Sequence, residues 1–309
     1  MKLQNGGEYI ESLRALEPVI YYKGKRIDDV TRHPGTAPHV RAAAMTYSLA
    51  AKEKYRDLAT ATSHLTGHKI SRFTHVHQNV EDLIKKVKLL RVLGQKTGTC
   101  FQRCVGFDGI NAVYSVAYEI DAKLGTDYLQ RFNRWLTRIQ DDNRMVVGAM
   151  TDPKGDRSKG PADQSDPDQY VHVSERREDG IVIRGAKLHM TGAVNSHEIL
   201  VMPTTAMDER SKDYAVVCAL PIDAPGITLI FGRQANDDRR DRKERIDVGK
   251  PSFGAVGGEA VIVFEDVFVP YENVFMDGET EFTGELVYRF AAHHRANYGA
   301  CKTGLMDVL

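Results

Sequence analysis

Apolar positions recur at helical spacing through the first part of the chain and at strand spacing through the middle. Tyr9, Leu13 and Leu16 share one stripe of a short helix predicted over residues 7–16. Residues 19–27 (VIYYKGKRI) read as a small strand pair turning near Lys23 and Gly24. Residues 41–58 are Ala-rich and predicted helical. A clearer helix over 80–93 puts Leu83, Val87 and Leu90 on one face, with Lys85, Lys86, Lys88 and Arg91 as a solvated face, until Gly94 interrupts it. The stretch from Gly94 to Ser115 reads as a further helix, continuing amphipathically through Val113, Ala117 and Ile120. Another spans 127–141.

The period changes at Met145. The segment VVGAMTDPKGDRSKGPADQSDPDQ begins as a strand and becomes a loop rich in Gly, Pro, Asp and Lys. A hairpin follows over 170–190, turning at Asp179 and Gly180. Further strands are predicted over 198–203, 214–221, 227–231 and 260–264. Such spacing, without long intervening helices, predicts an antiparallel sheet or small barrel. The run DDRRDRKER (Asp237 to Arg245) holds five basic and four acidic residues, so its charges nearly cancel and it reads as an exposed loop. A helical pattern returns from Glu281 and continues to Leu309. The fold class is therefore α+β, divided into a helical domain (1–141), a β domain (142–278) and the start of a second helical domain (279–309), where the helical pattern stops as if a domain continued beyond it.

Composition narrows the function classes. The chain has 309 residues, 42% of them hydrophobic, which suffices for two sizeable cores. Its 42 basic and 42 acidic side chains cancel, so nothing steers it to nucleic acid or an anionic membrane. The opening MKLQNGGEYIESL lacks the apolar run of a signal peptide, and no stretch reaches membrane-span length. Four cysteines are too few for a disulfide framework at this size, so a cytoplasmic, reducing setting with free thiols is expected.

Those thiols carry the candidate chemistry. Cys100 and Cys104 are four residues apart, one helical turn on a single face; His294 and Cys301 are seven apart, two turns along another helix. Together they would close a Cys3His set suited to zinc or to an iron–sulfur centre. A cysteine pair on an apolar helix also packs simply as core, and spacing leaves both readings open. Cys218, in the strand YAVVCAL, reads as core.

Longer motifs add a resemblance. AMTDPKGDR (149–157) resembles the strand-end flavin motif of the acyl-CoA dehydrogenase superfamily, and GAKLHMTGAVNSHEI its next flavin-facing strand. With TCFQRCVGFDGINAV and HHRANYGACK, these resemble the 4-hydroxyphenylacetate 3-hydroxylase family over the whole chain. The Cys/His set points to its cluster-bearing branch, because the monooxygenase branch lacks those ligands. The resemblance implies an acyl-CoA dehydrogenase-like fold and FAD held by Met150, Thr151, Asp152, Lys154, Gly155, Asp156 and Arg157, with Thr151 and adjacent amides on the isoalloxazine. His189, Met190 and Thr191 would form the second flavin strand, Thr191 near the flavin N5. Cys100, Cys104, His294 and Cys301 would hold a 4Fe-4S cluster. His294 would also be the base that removes the proton alpha to a thioester, with Glu259, Tyr298, Lys302, Gln102 and Thr191 around the substrate; His293 would be a packing or surface residue.

The activity so implied is radical dehydration of 4-hydroxybutyryl-CoA to crotonyl-CoA, with isomerisation of vinylacetyl-CoA at the same site, the flavin taking and returning one electron. A flavin-dependent aromatic monooxygenase component and a zinc-stabilised binding module are the alternatives. Family members continue into a C-terminal helical domain that closes the flavin site and helps form a homotetramer, so this chain alone is expected to hold FAD poorly.

Overall fold

The computed structural model describes residues 3–232, 252–253 and 258–308; the Asp237 to Arg245 run lies outside them. Helix α1 (Gly6–Arg14) opens with a capping box between Asn5 and Glu8. It buries Tyr9 and Leu13 as its stripe requires. Strands β1 (Val19–Tyr22) and β2 (Lys25–Arg26) form the expected pair. The Ala-rich region is two helices, α2 (Ala37–Ala51) and α3 (Glu53–Ala59), because Lys52 between them takes an extended backbone. A short hairpin, β3 (Thr60–Thr62) and β4 (Lys69–Ser71), follows; three-residue strands leave too little alternation to detect.

Helix α4 (Val80–Thr97) corrects the sequence reading of its faces. Its buried stripe is Lys86, Leu89, Leu90, Leu93, Gly94 and Thr97, whereas Leu83 and Val87 are 41% and 40% exposed. Lys86 is drawn inward by a buried carboxylate, so the lysines are not one solvated face. Nor does Gly94 interrupt the helix. It is a contact point: a Cβ there would lie 2.5 Å from the carbonyl oxygen of Cys301 on the last helix. Helix α5 (Cys104–Leu124) and helix α6 (Tyr128–Asp141) follow.

The β region forms two sheets, not a barrel. One runs in the order β2, β1, β10 (Ile227–Phe231), β11 (Glu259–Pro270), β7 (Gly180–Thr191), β6 (His172–Arg176). The other runs β12 (Val274–Asp277), β9 (Val216–Pro221), β8 (Glu198–Val201), β5 (Val146–Ala149). Each contains one parallel pair, β1 with β10 and β5 with β8, amid antiparallel ones. Through β1, the helical N-terminal region contributes to the large sheet.

The small sheet is buried on both faces. Val147, Ile199, Val201, Val216 and Cys218 point into a core shared with the large sheet. The alternate residues Val146, Leu200, Val217 and Ala219 face a second core with Phe132, Trp135 and Ile139 of α6 and Ile110 and Val113 of α5. Cys218 is thus core, as its strand suggests. The last helix, α7 (Thr283–Met306), lies against α4 and α5. A third core holds Leu89, Leu90 and Leu93 of α4, Phe101, Phe107 and Cys301.

Candidate functional site

Three helices bring the cysteines to one place. α4 and α7 cross closely because glycine faces backbone on both sides: a Cβ at Gly304 would overlap the carbonyl of Arg91, as one at Gly94 would crowd Cys301. This sets Cys301, 8% exposed, beside the loop that joins α4 to α5. Cys100 lies in that loop and Cys104 is the first residue of α5, so the pair does not share a helical face as its spacing suggested. α4 ends at Gly98, and a loop residue, Gln102, takes a left-handed backbone (φ 67°) before the next helix starts.

The thiols act on one another. Cys100 is pushed up to about 11 by burial first and then by Cys301, while Lys302 pulls it down and Glu259 pushes it up. Cys104 is raised well above the usual thiol range by burial, with Cys100, Asp108 and Cys301 adding to it. Burial also raises Cys301, against the neighbouring Lys302. Cys104 packs against the core that holds Phe101 and Cys301. Among the described residues, no three His, Cys, Asp or Glu side chains converge tightly enough to hold a single metal ion.

Two further features lie at the cysteine loop. Gln102 is 3% exposed, yet neither its amide nitrogen nor its oxygen has a hydrogen-bond partner. A buried, unsatisfied amide in a strained backbone region is costly and points to a ligand contact. Gly192, at the end of β7, has φ 85° and would place a Cβ 2.7 Å from the Gln102 carbonyl, so the strand end closes directly onto the cysteine loop. Beside it, Glu259 lies 3.4 Å from His189 and 3.5 Å from Thr191. His189 itself has φ 56°.

His294 sits on the α7 face that also carries Tyr298, Cys301 and Lys302. Its Nδ1 is 2.9 Å from Oδ2 of Asp108, and its ring stacks on Phe290. Asp108 is fully buried and also accepts from Lys86 Nζ at 2.8 Å and Asn297 Nδ2 at 2.6 Å. Tyr298 is 60% exposed, with the Lys302 ammonium 5.0 Å above its ring. His293 packs away from this group, its ring 5.7 Å from that of His77. A cavity of about 410 Å³ is lined by His294, Tyr298 and Phe290 on one side and by Met150 and Thr204 on the other.

Met150 opens the strand-end loop that follows β5. Thr151 accepts the Leu188 amide through its carbonyl at 2.8 Å, and its hydroxyl has no partner among the described residues. Asp152 turns inward: it is 1% exposed and 2.6 Å from Lys187 Nζ. Lys187 also donates to the carbonyls of Met150 and Met202, pinning the loop to β7. Burial lowers Lys187 and raises Asp152, each opposed by its partner. Lys154, Gly155, Asp156 and Arg157 run on along the surface, where Asp156 bonds Ser158 and Gln164. They do not reach the cysteine group in this chain.

Sequence reading missed Asp108, Lys86, Asn297 and Lys187. Asp108 had a signal, as the lone acid in the apolar stretch VGFDGINAV one turn after Cys104. Lysines in a helix and a strand read as solvent-facing by default.

The fold and the site define an α+β protein whose cysteines lie between its helical and β parts. Residues 5–276 match the family model described as "4-hydroxyphenylacetate 3-hydroxylase N terminal", and the chain belongs to that family. It is 50% identical to the 4-hydroxybutyryl-CoA dehydratase/vinylacetyl-CoA-Delta-isomerase of Clostridium aminobutyricum, over 99% of this chain and 62% of that protein. Identity to the 4-hydroxyphenylacetate 3-monooxygenase oxygenase component of Thermus thermophilus is 29%, over 90% of this chain and 56% of that one. Among solved structures, an oxygen-tolerant archaeal 4-hydroxybutyryl-CoA dehydratase from N. maritimus superposes with a TM-score of 0.94 at 47% identity, covering 99% of this chain and 60% of that chain. HpaB complexed with FAD and 4-hydroxyphenylacetate gives 0.77 at 26% identity, covering 99% and 62%. The chain thus spans about three fifths of the length of these relatives. No helix among the described residues is long and apolar enough to cross a membrane.

Proposed function

We propose that this chain forms the FAD- and cluster-binding part of an enzyme that dehydrates 4-hydroxybutyryl-CoA to crotonyl-CoA and isomerises vinylacetyl-CoA to the same product. The observation that carries the reading is one continuous arrangement. His294 faces Met150 and Thr204 across a cavity, and it bonds Asp108, one helical turn after Cys104 on α5. The 50% identity to the clostridial dehydratase supports the same reaction class.

The hydrogen at C3 of a 4-hydroxyacyl thioester is not acidic, so acid and base side chains alone do not suffice. When bound, FAD supplies one-electron chemistry and the 4Fe-4S cluster a Lewis acid. Cys100, Cys104 and Cys301 would hold the cluster with His294. His294 would remove the proton at C2 through Nε2 only while that nitrogen is not ligating iron. Lys302, Tyr298 and Gln102 donate to substrate oxygens; the unpartnered buried amide of Gln102 suits that task. The free hydroxyl of Thr151, with Met190 and Thr191 on β7, holds the flavin ring. Glu259, beside Thr191, serves as the second proton-handling group. Asp152 would steady the strand-end loop of the flavin site through Lys187, and Lys154 to Arg157 would contact FAD. The functional division is 1–141, 142–278 and 279–309, within a cytoplasmic homotetramer.

The test uses anaerobically purified chain, reconstituted with FAD, iron and sulfide, in deuterated water. Vinylacetyl-CoA should yield crotonyl-CoA carrying deuterium. Hydroxylation of a phenol with reduced flavin and oxygen, without thioester turnover, would assign the monooxygenase reaction instead.

A further inference from the structure

We propose that Asp108 is the positioning residue of this site: clamped by Lys86 and Asn297, it accepts a hydrogen bond from Nδ1–H of His294 and leaves Nε2 as the one lone pair presented to iron or to a substrate proton. The clamp joins three helices. Asp108 on α5 meets Lys86 of α4 at 2.8 Å, and His294 and Asn297 of α7 at 2.9 and 2.6 Å. Asp108 and Asn297 are fully buried and Lys86 is 1% exposed. A carboxylate only accepts, so a neutral imidazole held against it must carry its proton on the facing nitrogen. The ring has little freedom to flip, being stacked on Phe290 at 5.3 Å and 17°. A buried carboxylate that orients a ligating histidine is a general device of metal sites. Lys86 supplies the charge that keeps the carboxylate in an apolar seam, and Asn297 fixes its rotation.

The inference rests on the cluster reading only for what Nε2 meets. The histidine tautomer itself is measurable on iron-free protein. The experiment is nitrogen-15 NMR of histidine-labelled full chain, with His294→Gln to assign the signal. Wild type is compared with the double variant Lys86→Met, Asp108→Leu. The double variant swaps a buried ion pair for apolar side chains, a change that is often neutral or stabilising. Wild type should show His294 protonated at Nδ1. The double variant should show a mixture of tautomers. After anaerobic loading with iron and sulfide, it should lose iron at about 10- to 100-fold lower chelator concentration.

An unchanged Nδ1-protonated tautomer in the double variant would overturn the proposal. Should that variant not fold, Asp108→Asn replaces it: one acceptor oxygen, contested by Lys86, must lower the Nδ1-protonated fraction or the role is refuted. Failure of every chain, wild type included, to take up iron and sulfide would defeat the cluster reading, while the tautomer comparison would still decide the part played by Asp108.

Discussion

Replacing Gly94 by Ala is expected to disturb the cysteine group more than it disturbs the fold. The added Cβ would lie 2.5 Å from the Cys301 carbonyl oxygen and 3.1 Å from the Leu305 amide nitrogen, where ordinary contact begins at 3.4 Å. Both are backbone atoms, so no rotamer change relieves the overlap. α4 and α7 must part by about 0.9 Å at this point, the difference between 3.4 and 2.5 Å. Overpacking of this kind costs about 1–3 kcal/mol, against about 1 kcal/mol gained from the better helix former. The net loss of about 0–2 kcal/mol leaves the chain folded. The displacement falls on the peptide of Cys301 itself, however, and should move that thiol away from Cys100 and Cys104. Gly299→Ala is the control, since it lies on the same helix with nothing within 4 Å of its Cβ. Thermal unfolding followed by circular dichroism, with iron and sulfide content after anaerobic loading, reads both effects. Gly94→Ala should lower iron content sharply and the melting temperature slightly; Gly299→Ala should do neither. A Gly94→Ala chain that melts and loads like the control would refute the close-crossing argument.

Other consequences follow from the same geometry. His294→Cys should preserve an iron centre, because thiolate is a normal iron ligand, yet slow exchange of the thioester alpha proton with deuterated solvent about 100- to 10,000-fold; His293→Ala should leave exchange unchanged. Lys187→Met strands the buried carboxylate of Asp152 and should cost about 3–5 kcal/mol in chemical denaturation, weakening FAD retention at the same time. Asp82 is held at about 2 by the Gln78 amide, His75 and Arg72, against the opposing effect of burial. Its folded value lies below its ordinary one, so its contribution is complete above pH 4 or so and is lost as pH falls towards 2. An acid titration of stability in Asp82→Asn should lack that component.

Much of this arrangement was legible in the sequence, and the failures have physical causes. Stripes such as Tyr9 and Leu13, or Val113, Ala117 and Ile120, mark helices because their apolar residues face one core. Most β strands were found, though not the short β3, β4 and β12, and not their division into two sheets, since β5 and β8 are buried on both faces and carry no polar alternation. α4 misled because its inward face includes Lys86, whose partner Asp108 comes 22 residues later. Gly94 read as a breaker, although only the distant α7 explains it. The spacing of Cys100 and Cys104 suggested one helical turn, whereas a strained Gln102 sets them on a loop and a helix start. Residue types and family motifs thus located the candidate ligands, and tertiary contacts supplied the parts that orient them.

The central claim is that Cys100, Cys104, Cys301 and His294 hold an iron–sulfur cluster beside a flavin. Iron, acid-labile sulfide, zinc and FAD contents with a visible spectrum, measured on strictly anaerobic wild-type and Cys301→Ser chains, test it most directly. Iron and sulfide in equal amounts in wild type, with a broad charge-transfer absorption that Cys301→Ser loses, is the predicted result. Stoichiometric zinc without iron, or FAD with no iron at all, would contradict it.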